Sequence, residues 1–333
     1  MANYFSDDRN GELYSRTRQH AVERQVSERQ GVEAARGTPP IGRLCDVDGR
    51  QLLLHQSGTG GPAVVVVPGA GLIGLDYLNI HDRVTQFTTS VLYDRAGTGW
   101  SDPIELPRSA TAVSDELRSL LCAANVPAPY LLVGHSLGGA YIRRYAQRFP
   151  NEVAALLFLD PAHEDYPAHM PKQTLFAMLR QVYASVRVLL HFKRFYRRIF
   201  EQMLAAWPDS IRESLIDYHL RSLRKSLEEW PARSRTTAKG ELLDEIRHGG
   251  NMPDVPLIVL IAMGIDPFMA ALMPESYLRA LNARKHIIYK PLVESVPRGE
   301  QRTLEDAGHS TIHTDRPDAV VKAIRDLVTR VNR

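Results

Sequence analysis

Residues 132–139 have the sequence Leu-Val-Gly-His-Ser-Leu-Gly-Gly, which is the sharpest signal in the chain. It sets Gly-x-Ser-x-Gly between an apolar run at 130–133 and a helical pattern at 139–148. A strand, a tight turn and a helix in this order form a nucleophile elbow, which lifts a serine hydroxyl clear of a sheet. So sharp a turn needs small neighbours, which the two glycines supply. We therefore predict that Ser136 is a nucleophile.

Short apolar runs, of the kind that form strands buried on both faces of a parallel sheet, recur along the chain. They lie at 63–67, 91–93, 130–133, 155–159 and 257–262. Helical patterns separate most of them, at 112–124, 139–148 and 276–295. This alternation predicts an α/β fold built on a doubly wound, mostly parallel sheet.

The two ends of the predicted sheet are assigned from turn signals. Apolar runs at 44–47 and 51–55 flank an Asp-Gly dipeptide, which is typical of a hairpin. A final strand is predicted at 300–304, before a closing helix at 317–331 for which Asp315 is the expected cap.

We divide the chain into four segments. A polar N-terminal arm or helix takes residues 1–40, and the first part of the core takes 41–162. A long, basic and helix-rich region at 163–250 is predicted to be an inserted helical cap, and 251–333 completes the core. The aromatic and basic stretch at 175–207 fits an apolar roof over a substrate, a surface that touches membrane, or a helix packed on the core with solvated arginines.

A serine nucleophile needs a base, because its hydroxyl is weakly nucleophilic by itself. His309 lies on the predicted loop after the last strand and is the expected base, with His313 as the alternative. His135 stands next to the serine, and adjacent residues on a sharp turn point apart. We therefore expect His135 to pack or form hydrogen bonds beside the elbow.

A carboxylate must orient the base and stabilise its charged form. Asp266 follows the strand at 257–262, and Asp160 ends the preceding strand at 155–159. Either residue keeps the chain order serine, aspartate, histidine. We favour Asp266 and keep Asp160 as the second candidate.

An oxyanion hole needs two backbone N–H groups near the nucleophile. One is expected from Leu137, directly after the serine. The other is expected from Ala70, in the Pro-Gly-Ala-Gly loop at 68–71, where glycines let the backbone approach a substrate.

Together these motifs resemble the α/β-hydrolase superfamily, from about residue 42 to the end of the chain. The likeness is greatest to its bacterial serine hydrolases of the esterase and lactonase type. Segments at 42–49, 93–103 and 159–165 are similar to common patterns of that superfamily.

The chain also departs from that pattern. The oxyanion loop has Pro68-Gly69 where many members have His-Gly, and a long gap separates Asp266 from His309. Dehalogenases and epoxide hydrolases of the same fold use an aspartate at the elbow, where this chain has Ser136, so those reactions are not expected.

The residues and the resemblance predict a serine hydrolase that cleaves a carboxylic ester, lactone or thioester of a hydrophobic small molecule through an acyl-serine intermediate. Two other classes stay open. One is a non-hydrolytic enzyme of this fold, an acyltransferase or a lyase. The other is a ligand-binding protein with a slow site, because a fold does not fix a function.

The motifs make a small-molecule ester or lactone the expected partner, and composition excludes other kinds of partner. A net charge of +3 over 333 residues is too small to suggest nucleic acid, and no apolar run is long enough to span a membrane. No metal-ligand spacing and no dinucleotide-binding glycine motif occurs, so neither cofactor nor metal is expected. The polar start lacks a signal-peptide layout, which predicts a cytoplasmic protein. A homo-oligomer stays open.

Overall fold

An eight-stranded sheet organises the computed structural model of the chain, which describes residues 37–105, 108–171, 181, 190–233 and 238–332. The chain divides into two units, Met1–Pro39 and Pro40–Arg333. The predicted N-terminal arm lies outside the described residues up to position 36. Every element named below belongs to the second unit.

The strands run almost entirely in one direction across the sheet. They are β1 (Arg43–Val47), β2 (Arg50–Ser57), β3 (Ala63–Val67), β4 (Ser90–Tyr93), β5 (Tyr130–His135), β6 (Val153–Leu159), β7 (Leu257–Ala262) and β8 (Gly299–Leu304). Their order is β1-β2-β4-β3-β5-β6-β7-β8. The pairs β1–β2 and β2–β4 are antiparallel, and the other five are parallel. The predicted mostly parallel α/β sheet is therefore confirmed.

Central strands are buried on both faces, which explains their unbroken apolar sequences. All five residues of β3 and all six of β7 are buried, so alternation of polar and apolar side chains would leave polar groups in the core. The outermost β8 instead is largely polar and only partly buried.

Twelve helices are described. They are α1 (Leu78–Val84), α2 (Ala110–Ala123), α3 (Leu137–Arg148), α4 (Tyr166–His169), α5 (Phe192–Met203), α6 (Asp209–Arg233), α7 (Ala238–Arg247), α8 (Pro267–Ala270), α9 (Glu275–Asn282), α10 (Lys285–Glu294), α11 (Ile312–Asp315) and α12 (Pro317–Val331). Short 3-10 turns occur at Gly74–Tyr77 and Pro150–Glu152.

Helices cover both faces of the sheet. One apolar cluster joins the sheet to α2, α3, α7 and α10, and the other joins it to α1, α5, α6 and α12. Two faces covered by helices are what a doubly wound sheet requires.

Between β6 and β7 the described residues form the helices α4 to α7, joined by turns and loops, and no strand. Helices α5 and α6 join the same cluster as α1, whereas α7 lies on α2 and α3. Glu245 of α7 accepts the Thr111 N–H at 3.0 Å, and Gln147 of α3 donates to the Ile246 carbonyl at 3.0 Å. The predicted cap bounds, 163–250, stay a prediction.

Two local predictions were wrong. The helical stretch predicted at 276–295 is two helices, α9 and α10, separated by Ala283 and Arg284. Asp315 does not cap the closing helix, because its carboxylate accepts the Gly308 N–H at 2.9 Å and the Thr311 hydroxyl at 2.5 Å. It braces the loop that carries His309 instead.

Candidate active site

The turn between β5 and α3 holds Ser136 in a strained backbone conformation. Its φ is 50° and its ψ is −118°, a combination that few residues other than glycine adopt. The strand before the turn and the helix after it hold that geometry. The Ser136 N–H donates to the Leu159 carbonyl at 3.0 Å, and its carbonyl accepts the Ala162 N–H at 2.8 Å.

Gly138 has no room for a side chain. A Cβ atom there would lie 2.0 Å from the carbonyl oxygen of Val67 and 2.7 Å from that of Pro68. The first turn of α3 thus packs directly on the backbone that leads into the oxyanion loop. A glycine two positions after the serine is a steric requirement of this contact.

We expect Gly138→Ala to destabilise the fold by about 3 kcal/mol or more, because backbone atoms must move to admit the methyl group. Chemical denaturation measures the change. Gly61→Ala is the matched control, since a Cβ there meets no atom within 4 Å. Equal unfolding midpoints for the two variants would contradict the packing argument.

His309 connects the serine to a carboxylate. Its Nε2 lies 3.0 Å from Ser136 Oγ, and its Nδ1 lies 2.6 Å from Asp160 Oδ2. A carboxylate accepts hydrogen bonds, so Nδ1 carries the proton and Nε2 is free to accept from the serine hydroxyl. The ring is one-third exposed, whereas Asp160 is fully buried. Asp160 follows β6 with a φ of 43°, a second strained position.

Of the two candidate carboxylates, the structure places Asp160 and not the favoured Asp266 in contact with the histidine. Asp266 caps α8 by accepting the Met269 N–H at 2.8 Å, and it accepts the Ser310 N–H at 2.5 Å. Both oxygens of Asp266 are therefore engaged by backbone donors beside His309. Asp266 therefore fixes the backbone of the loop that carries His309, whereas Asp160 orients the imidazole ring.

Lys285 and Tyr289, which the sequence analysis missed, surround Asp160. The Lys285 ammonium donates to Asp160 Oδ2 at 2.6 Å, and the Tyr289 hydroxyl lies 3.2 Å from Oδ1. Burial favours the neutral acid, but the ammonium and the His309 ring outweigh it and hold the pKa of Asp160 well below its usual range. The sequence signal that could have identified Lys285 is its position on the apolar face of α10, three residues before Ile288 and seven before Leu292.

His135 occupies the interior side of the elbow, as expected. Its Nε2 donates to the His309 carbonyl at 2.7 Å, and its Nδ1 accepts the Tyr77 hydroxyl at 2.6 Å. Burial and the neighbouring His309 lower the pKa of His135 to about 3, which keeps the ring neutral. His313, the alternative base, is fully buried with its ring against Tyr77, and burial lowers its pKa well below the usual value.

The loop after β3 is fixed by hydrogen bonds from two directions. The Arg95 guanidinium donates to the carbonyls of Pro68 and Gly69 at 2.5 and 2.9 Å. The Gly69 N–H donates to the Tyr77 hydroxyl at 3.3 Å. Within the described part of the chain, the N–H groups of Ala70 and Leu137 take part in no hydrogen bond.

A buried pair ties α6 to the turn after this loop. Asp76 accepts the Ile73 N–H at 2.8 Å through one oxygen, and its other oxygen lies 2.8 Å from Nε2 of His219. The His219 ring stacks on Phe200 of α5 with centroids 4.4 Å apart. Helices α5 and α6 are thus anchored close to the loop that carries Ala70.

The described ranges contain no group of three His, Cys, Asp or Glu side chains arranged to hold a metal ion. Among the helices in those ranges, none combines the length and the apolarity needed to cross a bilayer.

The sequence and the fold were compared with those of known proteins. YbdG of Bacillus subtilis, an uncharacterized protein, is 28% identical over 121 residues, 36% of this chain and 37% of YbdG. The match thus spans well under two thirds of that relative. Cfl2 from Burkholderia cenocepacia has a similar fold, with a TM-score of 0.62, 18% identity, and coverage of 87% of this chain and 100% of Cfl2.

The meta-cleavage product hydrolase CumD from Pseudomonas fluorescens IP01 is similar in fold as well, with a TM-score of 0.55, 13% identity, and coverage of 87% and 98%. At such identities the likeness concerns the fold alone. The sequence model described as the alpha/beta hydrolase family matches residues 64–323, which is most of the chain. That span includes the strained turns at Ser136 and Asp160 and the loop of His309. The chain belongs to the alpha/beta hydrolase family.

Proposed function

We propose that the protein is a serine hydrolase that cleaves a carboxylic ester, lactone or thioester of a hydrophobic small molecule. The observation that carries the proposal is the chain of contacts from Ser136 Oγ through the His309 ring to Asp160. A serine, a base within hydrogen-bond reach and a carboxylate that orients the base are the parts that acyl transfer to serine requires.

In the proposed reaction, His309 Nε2 removes the proton of Ser136 as Oγ bonds to the substrate carbonyl carbon. The tetrahedral intermediate collapses, the bond to the leaving oxygen or sulfur breaks, and His309 returns the proton to that atom. Water then attacks the acyl-serine with His309 as base, and the acid and the free serine are released. Asp160 keeps Nδ1 protonated throughout.

Ala70 and Leu137 are the proposed oxyanion donors. Leu137 follows Ser136 directly, and the residue before Ala70 lies close to it, since a Cβ on Gly69 would lie 3.3 Å from the Ser136 Cβ. The Arg95 guanidinium holds the Gly69 carbonyl, whose peptide group also carries the Ala70 N–H, so this donor is held in place before substrate binds.

An aromatic cluster supports a hydrophobic substrate. Phe268 of α8 lies two residues after Asp266, whose carboxylate binds the residue next to His309. Phe268 packs on Tyr196 and Phe200 of α5, with ring centroids 6.2 and 5.4 Å apart. These rings join apolar surface of α5 to α8, whose cap Asp266 binds the loop that carries His309.

A panel of p-nitrophenyl esters from acetate to palmitate, with fluorophosphonate labelling of the same protein, tests the proposal. We expect ester hydrolysis, an optimum in acyl chain length, and a covalent adduct on Ser136. Acyl transfer to an added alcohol with little free acid would favour a transferase. Absence of both turnover and labelling would reject the proposal in favour of a binding protein.

A further inference from the structure

We infer that Lys285 is a positioning residue that balances the charge of Asp160, so that the carboxylate orients His309 without drawing a second proton onto the ring. The inference rests on the proposed function, in which His309 is the base. The Lys285 ammonium donates to Asp160 and to the Ala262 carbonyl rather than to Ser136 or His309, so it acts through the carboxylate.

The contact between Lys285 and Asp160 lies inside the protein. Lys285 is 3% exposed and Asp160 is fully buried. The ammonium donates to Asp160 Oδ2 at 2.6 Å and to the Ala262 carbonyl at 2.6 Å. His309 Nδ1 reaches the same Oδ2 at 2.6 Å. The lysine and the histidine therefore share one carboxylate oxygen and lie within two hydrogen-bond lengths of each other.

A lone buried carboxylate would be a poor partner for a base. Away from water its negative charge is weakly screened, so it favours a second proton on the adjacent imidazole. An imidazole already carrying both protons cannot accept the one from Ser136. The Lys285 ammonium supplies a positive charge that neutralises the carboxylate and opposes that protonation. Asp160 can then orient His309 without charging it.

Several neutral groups also contact the pair formed by Asp160 and Lys285 or lie next to it. Tyr289 of α10 and the Ala262 N–H of β7 both lie 3.2 Å from Asp160 Oδ1. The Tyr166 hydroxyl is 2.7 Å from that of Tyr289, and burial raises the pKa of both phenols. These tyrosines are neutral donors and cannot replace a cation.

Two further ionisable groups lie near His309. The His135 ring, held neutral by burial, has its centroid 5.5 Å from that of His309. The Asp266 carboxylate is bound to the Ser310 N–H. Among the described residues, Lys285 is thus the cation in direct contact with Asp160.

Three variants separate charge, hydrogen bonding and volume. Lys285→Met keeps the volume alone, Lys285→Gln keeps a donor without the charge, and Lys285→Arg keeps the charge. Lys290→Met is the matched control, because Lys290 lies on the same helix with 67% of its side chain exposed. Folding is checked by circular dichroism and thermal melting. Lys285→Gln still offers Asp160 a donor, so it serves as the test if Lys285→Met does not fold.

The readout is the protonation of His309, followed by NMR of ¹³C-labelled histidine and assigned by the loss of its signal in His309→Asn. In Lys285→Met and Lys285→Gln the ring should gain its second proton at a pH about one unit higher than in wild type. Wild type, Lys285→Arg and Lys290→Met should titrate alike. With an ester substrate, the acid limb of kcat/KM should move by the same amount, and activity should recover at high pH.

An unshifted ring titration in folded Lys285→Met or Lys285→Gln overturns the inference. So does a shift in Lys285→Arg as large as that in Lys285→Gln, because the charge would then be irrelevant. Uniform loss of activity at every pH would indicate a structural role only. The NMR titration needs no turnover, so failure of ester hydrolysis in wild type rejects the proposed function without touching this test.

Discussion

Ser136→Ala is expected to lower kcat/KM for the best ester substrate by about a thousandfold or more, equivalent to about 4 kcal/mol of transition-state stabilisation. Alanine removes the atom that bonds to the substrate carbonyl and leaves the elbow otherwise unchanged. KM should change little, because the backbone N–H groups of Ala70 and Leu137 and the aromatic cluster of α5 and α8 remain. Initial rates over a range of ester concentrations measure the loss.

Ser114→Ala is the control for this experiment. Ser114 is also buried, but its hydroxyl lies 2.8 Å from the Ala110 carbonyl of α2 and 3.3 Å from the Tyr141 carbonyl of α3, five positions after Ser136. Fluorophosphonate should label wild type and Ser114→Ala on the peptide that contains Ser136, and should not label Ser136→Ala. Equal rates in wild type and Ser136→Ala would mean that ester cleavage occurs elsewhere on the protein.

The elbow and the sheet were predictable because their signals are local. Ser136 is defined by glycines within two positions of it, and steric contacts such as that of Gly138 with Val67 require those glycines. Strands buried on both faces produce apolar runs that need no partner to be recognised. His309 followed from its place after the last strand.

The identity of the carboxylate was not predictable, because two local sequences are alike. Asp160 and Asp266 each precede a proline and each follow one of two adjacent parallel strands, β6 and β7. The difference lies in the backbone. Asp160 has a positive φ, whereas Asp266 is extended and caps a helix. Lys285 was not predicted because its partner, Asp160, is 125 positions away along the chain.

Asp160→Asn and Asp266→Asn together test the assignment of the carboxylate. Asp160→Asn is expected to lower kcat about a thousandfold to ten-thousandfold near neutral pH. The amide no longer enforces a proton on Nδ1 of His309, and the Lys285 ammonium loses its counter-charge, which further opposes a positive charge on the ring. Steady-state kinetics of both variants on one ester give the comparison.

Asp266→Asn should retain activity within about tenfold of wild type, because asparagine caps a helix as well as aspartate does. Its side-chain oxygen still accepts one backbone N–H, so the variant weakens the brace on the His309 loop without removing it. A loss in Asp266→Asn as large as that in Asp160→Asn would make the loop brace as important as the carboxylate on the ring. Both substitutions remove one negative charge near His309, but of the two carboxylates only Asp160 contacts Nδ1 and pairs with Lys285. A large difference between the two variants therefore measures those two contacts rather than the general electrostatic field.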